Sequence, residues 1–416
     1  MSLFAQRDFV RYQGVRLCSV IAIQTMHVAI AWEVYARTHD PLALGLVGLA
    51  QFAPQIALAL ITGDVADRFD RRNILIACHA LVMLCALGLA ALVAIPGTPV
   101  EAIYGVLVLF GAARSFAGPA AQAMVPSLVP APLFPRAVAA GSTVFQVANI
   151  AGPPVGGAIH GLIGGPGVLL LAATIQLFAL GLLFSMEQLG VPRRVHDPSS
   201  SGLSRLLAGV RYVRDHRVIL GAISLDLFAV LLGGAVALMP YFADEIFHTD
   251  AVGLGLLRGA PALGALTMAV ILARWPLERR AGWIMLGCVA LFGVATIVFG
   301  LSTSLPLSLA ALAVLGAADM VSVVLRGVVV QVSTPPEMRG RVAAVNLVFI
   351  GASNELGEFE SGTTARLFGV VPAVVAGGLG TLLVVALWAW RFPELRDVDR
   401  PEDHDVMRKP SAPPAA

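Results

Sequence analysis

The stretch SNELGEFESG, Ser353 to Gly362, sets Glu355, Glu358 and Glu360 into a segment otherwise apolar enough to cross a membrane. RVAAVNLVFIGA leads into it from Arg341, and ARLFGVVPAVVAGGLG follows. Ionisable side chains at bilayer depth are costly, and they face a bundle interior or a water-filled cavity. On a helix Glu355 and Glu358 share a face with Asn354 and Gly351, whereas Glu360 points roughly 200° from Glu358. Counted from Arg341, Glu355 and Glu358 lie about 21 and 26 Å along the axis. Apolar surroundings favour the neutral form of a carboxyl and a nearby arginine favours the charged form. A group held between the two can exchange protons, so Glu355 and Glu358 are candidate proton carriers, with Arg258 the arginine expected within reach. The competing reading is a fixed Glu–Arg pair that only stabilises the helices.

Other charges are embedded in apolar runs. Arg114 in LFGAARSFAGPA and Asp319 in VLGAADM each stand a dozen or so residues into a run, roughly 20 Å at 1.5 Å per residue and therefore near mid-membrane. Asp319 joins the glutamates as a candidate proton carrier. An arginine at the depth of Arg114 needs a carboxylate, a carbonyl or a water-filled cavity beside it. Asp226 and Arg326 are expected to pair as an inner gate. His27 and Glu33 lie in the first run, the former as a cavity or core residue, the latter near an interface.

The elements that carry these groups follow from composition. Of 416 residues, 57% are hydrophobic and 13% charged, with a mean hydropathy of +0.83. Soluble domains are roughly a quarter charged; a chain this apolar is an integral membrane protein. The four cysteines, Cys18, Cys78, Cys85 and Cys288, sit singly in apolar runs with no ligand spacing, so they read as packing residues and no metal site is expected. The first apolar run is too long for the core of a cleavable signal peptide and reads as a span.

A span needs about 20 mostly apolar residues. Twelve cores satisfy this, near 14–36, 43–63, 73–95, 101–124, 136–160, 164–188, 218–242, 252–274, 281–301, 305–328, 341–366 and 369–391. The expected fold is an all-α membrane protein of twelve transmembrane helices in two six-helix halves. Those halves are 1–189 and 218–392, joined by a linker at 190–217 and followed by a disordered tail at 393–416. SRLLAGVRYVRDH in the linker reads as a basic amphipathic helix at the membrane surface. Arginines cluster before the first span and after the second, fourth, eighth, tenth and twelfth, which places both termini in the cytoplasm. The halves carry a faint duplication. AVAAGSTVFQVA from Ala137 recurs as RVAAVNLVFIGA from Arg341, and LFGAARS from Leu109 as VLGAADM from Val314, at offsets of 204 and 205. Parallel repeats of this kind put a binding site between halves near the midplane.

GDVADRFDRR, Gly63 to Arg72, closes the second span. On physics alone it is either a helix junction, packed through Gly63 and hydrogen-bonded through Asp67, or a basic loop that only sets topology. It resembles the G-x-x-x-D-R-x-G-R-R signature of the major facilitator superfamily through Gly63, Asp67, Arg68, Arg71 and Arg72, with Asp70 in place of the second glycine. The resemblance implies a cytoplasmic latch between the halves. NIAGPPVGG resembles the antiporter motif of exporting members through Gly152, Pro153, Gly156 and Gly157, although Ala139 and Ala148 replace glycines upstream. Arg114 and Gly118 resemble the superfamily's R-x-x-x-G motif. WEVYARTHDPLALGLVGLAQFAPQ and TPPEMRGRVAAVNLVFIGASNELGEF look like the branch of enterobactin exporters and macrolide efflux proteins.

The resemblance implies a proton-driven exporter of a small molecule, a catecholate siderophore first and macrolides or other drugs next, working by alternating access. It implies a bacterial inner-membrane protein, monomeric, with protons, substrate and lipid as partners and neither cofactor nor nucleic acid. An intramembrane enzyme is disfavoured, since HExxH, GxSxG and paired aspartates in a recognised motif are absent. The lack of a Walker A sequence excludes ATP as the direct energy source.

Overall fold

Backbone polar groups inside a bilayer must be satisfied within the segment that crosses it, so each long apolar run here is a helix. A computed structural model describes residues 3–187, 202–275, 277 and 279–399. The first five helices are α1 (Arg7–Thr38), α2 (Pro41–Arg68), α3 (Arg71–Ala94), α4 (Val100–Leu128) and α5 (Phe134–Ser185). After these come α6 (Gly202–Asp215), α7 (Arg217–Leu232), the three-residue α8 (Met239–Tyr241), α9 (Ala251–Arg274) and α10 (Ala281–Leu301). α11 (Leu305–Ser333), α12 (Pro336–Phe368), α13 (Val370–Arg391) and the short α14 (Pro393–Arg396) complete the order. Among the described residues, ten segments are long and apolar enough to cross a membrane. One of them contains two spans, because α5 breaks at Gly164, whose φ of 69° is a left-handed conformation suited to glycine. α12, 33 residues long, is not among the ten and makes the twelfth span.

Local signals set the ends. Asp40 caps α2 by accepting from the Leu42 N–H at 2.9 Å, and Asp70 caps α3 by accepting from the Arg72 N–H at 2.8 Å. α1 starts at Arg7, so Arg7, Arg11 and Arg16 lie on the first helix and not ahead of it. The seventh span is broken. α7 stops at Gly233, and the chain continues through a 3-10 turn (Ala235–Leu238), α8 and a π-helical turn (Phe242–Ile246). Gly233 and Gly234 sit where a Cβ would meet the Phe292 ring at 2.5 Å and the Ser361 hydroxyl at 2.7 Å.

Contacts divide the chain into two compact units, 1–197 with 239–259, and 198–238 with 260–416. In the first, Met26, Ile30, Leu89, Leu107 and Phe110 are buried at the heart of α1, α3 and α4. In the second, Leu225, Met285, Leu325 and Val384 bring α7, α10, α11 and α13 together. The linker helix α6 forms as expected, yet it is not a free surface helix. Val213 is buried against Ile219, Ile223, Val342 and Val345, and a Cβ on Gly209 would meet the Arg341 carbonyl at 2.7 Å.

The duplication has a structural basis. α4 and α11 are both 29 residues long and start 205 residues apart, so Arg114 and Asp319 occupy the same register. The shared glycine does the same work in each unit. A Cβ on Gly111 would fall 2.1 Å from the Gln51 carbonyl oxygen of α2, and one on Gly316 would fall 1.9 Å from the Pro261 carbonyl oxygen of α9.

The expected disordered tail begins too early at 393. Residues 393–399 fold back within the second unit, with Leu395 and Val398 buried. The Asp399 side chain accepts from the Arg280 N–H at 3.0 Å, and its carbonyl accepts from the Ala281 N–H at 3.1 Å. α10 thus takes its N-terminal cap from the segment that follows the last membrane helix, which stabilises the orphan amides of its first turn. Residues 400–416 lie outside those described. Replacing Asp399 by Ala is expected to cost about 1 kcal/mol, read as a lower melting temperature of the purified protein. Gly316→Ala is expected to cost more, about 1–3 kcal/mol, by forcing two backbones apart.

Candidate functional site

In the first unit, polar side chains from α1, α2, α4 and α5 converge. His27 Nε2 donates to Gln51 Oε1 at 3.2 Å, and the imidazole meets the Phe110 ring edge-on at 6.1 Å. Arg114 lies over the other part of this aromatic platform, its Cζ 5.6 Å from the Phe110 centroid. Gln24 donates to Asn149 Oδ1, which ties α1 to α5. His27 is therefore part of a cationic and aromatic cluster rather than an isolated core histidine.

The glycines of the antiporter-like motif are close-contact positions. A Cβ on Gly152 would meet Gln24 Cβ at 2.5 Å, and one on Gly156 would meet Thr25 Cα at 2.8 Å. Gly157 turns the other way: its Cβ would meet the Ala251 carbonyl oxygen at 2.4 Å and Gly255 Cα at 3.0 Å. Gly255 answers against the Pro153 carbonyl at 2.6 Å, and Gly259 against Pro154 at 2.6 Å. α5 is thus clasped between α1 and the first turns of α9. Nearby, Glu33 does not sit in open interfacial solvent; it is held by His160 at 3.2 Å and Arg37 at 3.9 Å, and its side chain is 19% exposed.

At the end of the unit that carries the GDVADRFDRR signature, the arginines bind backbone carbonyls of neighbouring helices. Arg71 donates to the Ala123 carbonyl at 2.8 Å, and Arg72 donates to the Leu183 and Phe184 carbonyls at 2.9 Å each. Arg72 lies at the C-terminus of α5, where unpaired carbonyls and the macrodipole favour a cation, whereas Arg71 binds α4 one turn before its last residues. Arg68 is exposed. The Asp67 side chain lies outside those described. A Cβ on Gly63 would meet nothing within 4 Å, so close packing is not what requires glycine there.

In the second unit, Arg326 of α11 and Asp226 of α7 form the expected ion pair, with side chains 5% and 10% exposed. Asp226 also lines a small pocket with Ala229, Val289, Phe292, Asp319 and Ser322. On α12 the face of Ser353, Gly357 and Ser361 packs toward the end of α7, Gly357 against the Val230 and Leu231 carbonyls. Glu355 and Glu358 fall on the opposite side with Gly351, half-buried, and Asn354 is exposed beside them. Glu360 falls on the packed side and accepts from the Thr364 hydroxyl at 2.7 Å. Arg258 belongs to the first unit, Glu355 and Glu358 to the second.

This architecture is that of a multi-pass transporter of the major facilitator superfamily. A bacterial homologue of the human lysosomal transporter Spinster, solved inward-facing and occupied, superposes with a TM-score of 0.77 at 13% identity, covering 94% of this chain and 98% of that one. The inward-open xylose transporter XylE of Escherichia coli gives 0.69 at 13% identity, covering 98% and 100%. The sequence profile of the transmembrane secretion effector family matches residues 4–412, and the chain belongs to that family. It is a transporter, not an enzyme. The multidrug efflux pump Tap of Mycobacterium tuberculosis is 27% identical over 395 residues, 92% of each chain. The enterobactin exporter EntS of Escherichia coli is 25% identical over 382 residues, 92% of this chain and 91% of that protein.

Sequence reasoning missed Gln24, Gln51 and the glycines of α9. The only signal for the last was the small-residue spacing Gly255–Gly259, four residues apart, which favours close helix contact. Gly157→Ala is expected to lower thermal stability by about 1–3 kcal/mol through overpacking. Gly63→Ala, with open space to fill, is expected to leave stability unchanged or raise it by up to about 1 kcal/mol; melting curves of the two variants separate the cases.

Proposed function

We propose that the protein is a secondary active exporter that moves a small organic molecule out of the cytoplasm by proton antiport with alternating access. The observation that carries this reading is likeness along nine-tenths of the chain to two exporters, Tap and EntS. The close-packed motif at Gly152, Pro153, Gly156 and Gly157 supports export over import. A catecholate siderophore is the favoured substrate. The Arg114–Phe110–His27 cluster suits it, because a cation and an aromatic face complement an anionic aromatic ligand. Multidrug efflux is the second reading, favoured by the likeness to Tap. The protein works as a monomer in the bacterial inner membrane with both termini in the cytoplasm, and Asp67 with Arg68, Arg71 and Arg72 belongs to the latch there.

The driving force suffices. Each proton moving inward releases about 2.3 kcal/mol per 100 mV of membrane potential, and a tenfold substrate gradient costs about 1.4 kcal/mol. The coupling proton is carried by an embedded carboxyl, for which Glu355, Glu358 and Asp319 are the candidates. Within the second unit, Asn354 and the Asp226–Arg326 pair belong to the surrounding polar shell.

Energised inverted vesicles test this reading. A labelled catecholate siderophore is expected to accumulate and to be lost when the pH gradient is collapsed. Accumulation of a lipophilic cationic dye instead would move the assignment to drug efflux, and accumulation of neither would remove it.

A further inference from the structure

Within the second unit, two aspartates line one small pocket and an arginine pairs with one of them. Asp319 and Arg326 stand seven residues apart on α11, within about 20° of one face and about 10 Å along the axis. Asp226 reaches across from α7, paired with Arg326 and lining the same pocket as Asp319. Arg326 and Asp226 neutralise each other. Among the described residues Asp319 has no hydrogen-bond or ion-pair partner of its own. The rest of the lining is Ala229, Val230, Val289, Phe292, Ala318 and Ser322, none of which carries charge. α10 contributes no acid or base to this wall, and α9 has no charged residue from Ala260 to Ala273. The pocket is about large enough for a single water.

The charge balance of the trio follows directly. With Asp319 ionised the site holds one uncompensated negative charge against an apolar wall; with a proton on Asp319 it holds none. An unpaired buried charge is far more costly than a neutral or fully paired group. We propose that Asp319 is the group that carries the coupling proton, with Asp226 and Arg326 as a fixed neutral pair that positions it and sets the charge balance of its pocket. The proposal rests on the antiport reading above and narrows its three carboxyls to one. In each cycle an Asp319 carboxylate oxygen takes one proton from the outer water, the site crosses while neutral, and the same oxygen returns that proton to the inner water. Asp226 keeps its partner throughout and is a positioning residue.

Two measurements on the full-length protein test this. Infrared difference spectra of the purified protein across an acid–base step report protonated carboxyls without any substrate. A titrating carboxyl band is expected in the wild type, lost in Asp319→Asn and retained in the Glu355→Gln/Glu358→Gln double variant. A band that survives Asp319→Asn, or one lost with the glutamates, overturns the inference. In vesicles holding a pH gradient of one unit, Asp319→Asn is expected to lose about tenfold of the probe accumulation reached by the wild type. The probes are the labelled catecholate and the cationic dye, and exchange of preloaded probe is expected to persist. Asp319→Glu is expected to restore accumulation. Full accumulation by Asp319→Asn overturns the inference and leaves the exporter reading standing. If the wild type concentrates neither probe, the exporter reading falls, and the infrared band alone decides whether Asp319 holds the proton.

Discussion

In lipid, helices gain nothing from hiding apolar side chains from one another, so their association depends on how closely their backbones can approach. Here that approach is set by glycine. At Gly111 and Gly316 the crossing is so close that a single methyl group would lie about 2 Å from a carbonyl oxygen of the neighbouring helix. Gly156 and Gly157 do the same for α5, one against α1 and the other against α9. The rest of each unit is arranged around these contacts, because a helix seated on a glycine has little freedom in rotation. That fixed rotation decides which side chains look inward, and it puts Arg114 and Asp319 at matching places on α4 and α11.

Charge is then distributed under a second constraint. Each embedded ion needs a partner or water, and the two units meet the need differently. In the first, Arg114 lies over the Phe110 ring, which His27 meets edge-on while it donates to the Gln51 amide oxygen. The second joins an arginine to one aspartate and leaves another beside a pocket the size of a water molecule. Elsewhere the same residue types do ordinary structural work: Arg72 completes the C-terminus of α5, Arg71 ties α3 to α4 through the Ala123 carbonyl, and Asp40 and Asp70 complete the N-termini of α2 and α3.

Much of this was legible in the chain because the bilayer leaves few options. Twelve apolar runs of sufficient length specify twelve helices, and a charge inside such a run is rare enough to name. Asp226 and Arg326 were found that way, and so was the separate facing of Glu360. Other features had no local signal. The break after Leu232 depends on Gly233 and Gly234 meeting α10 and α12, and two glycines among 42 do not announce it. Gln24 and Gln51 look like any polar residue tolerated in a helix until their partners on other helices are seen. Gly63 carried a strong motif signal, yet its surroundings are open. PELRDVD reads as a polar tail, and only its contacts with α10 show that it is folded.

The borrowed cap on α10 has a consequence for biosynthesis. In the first unit the acid that completes α3 is Asp70, adjacent in sequence, so that helix is finished as soon as its first turn is made. The equivalent helix of the second unit waits for Asp399, the last described residue of the chain. Its N-terminal end is therefore assembled after every membrane span has been synthesised, and a polypeptide released early would carry all twelve spans and still lack the piece that closes the second unit.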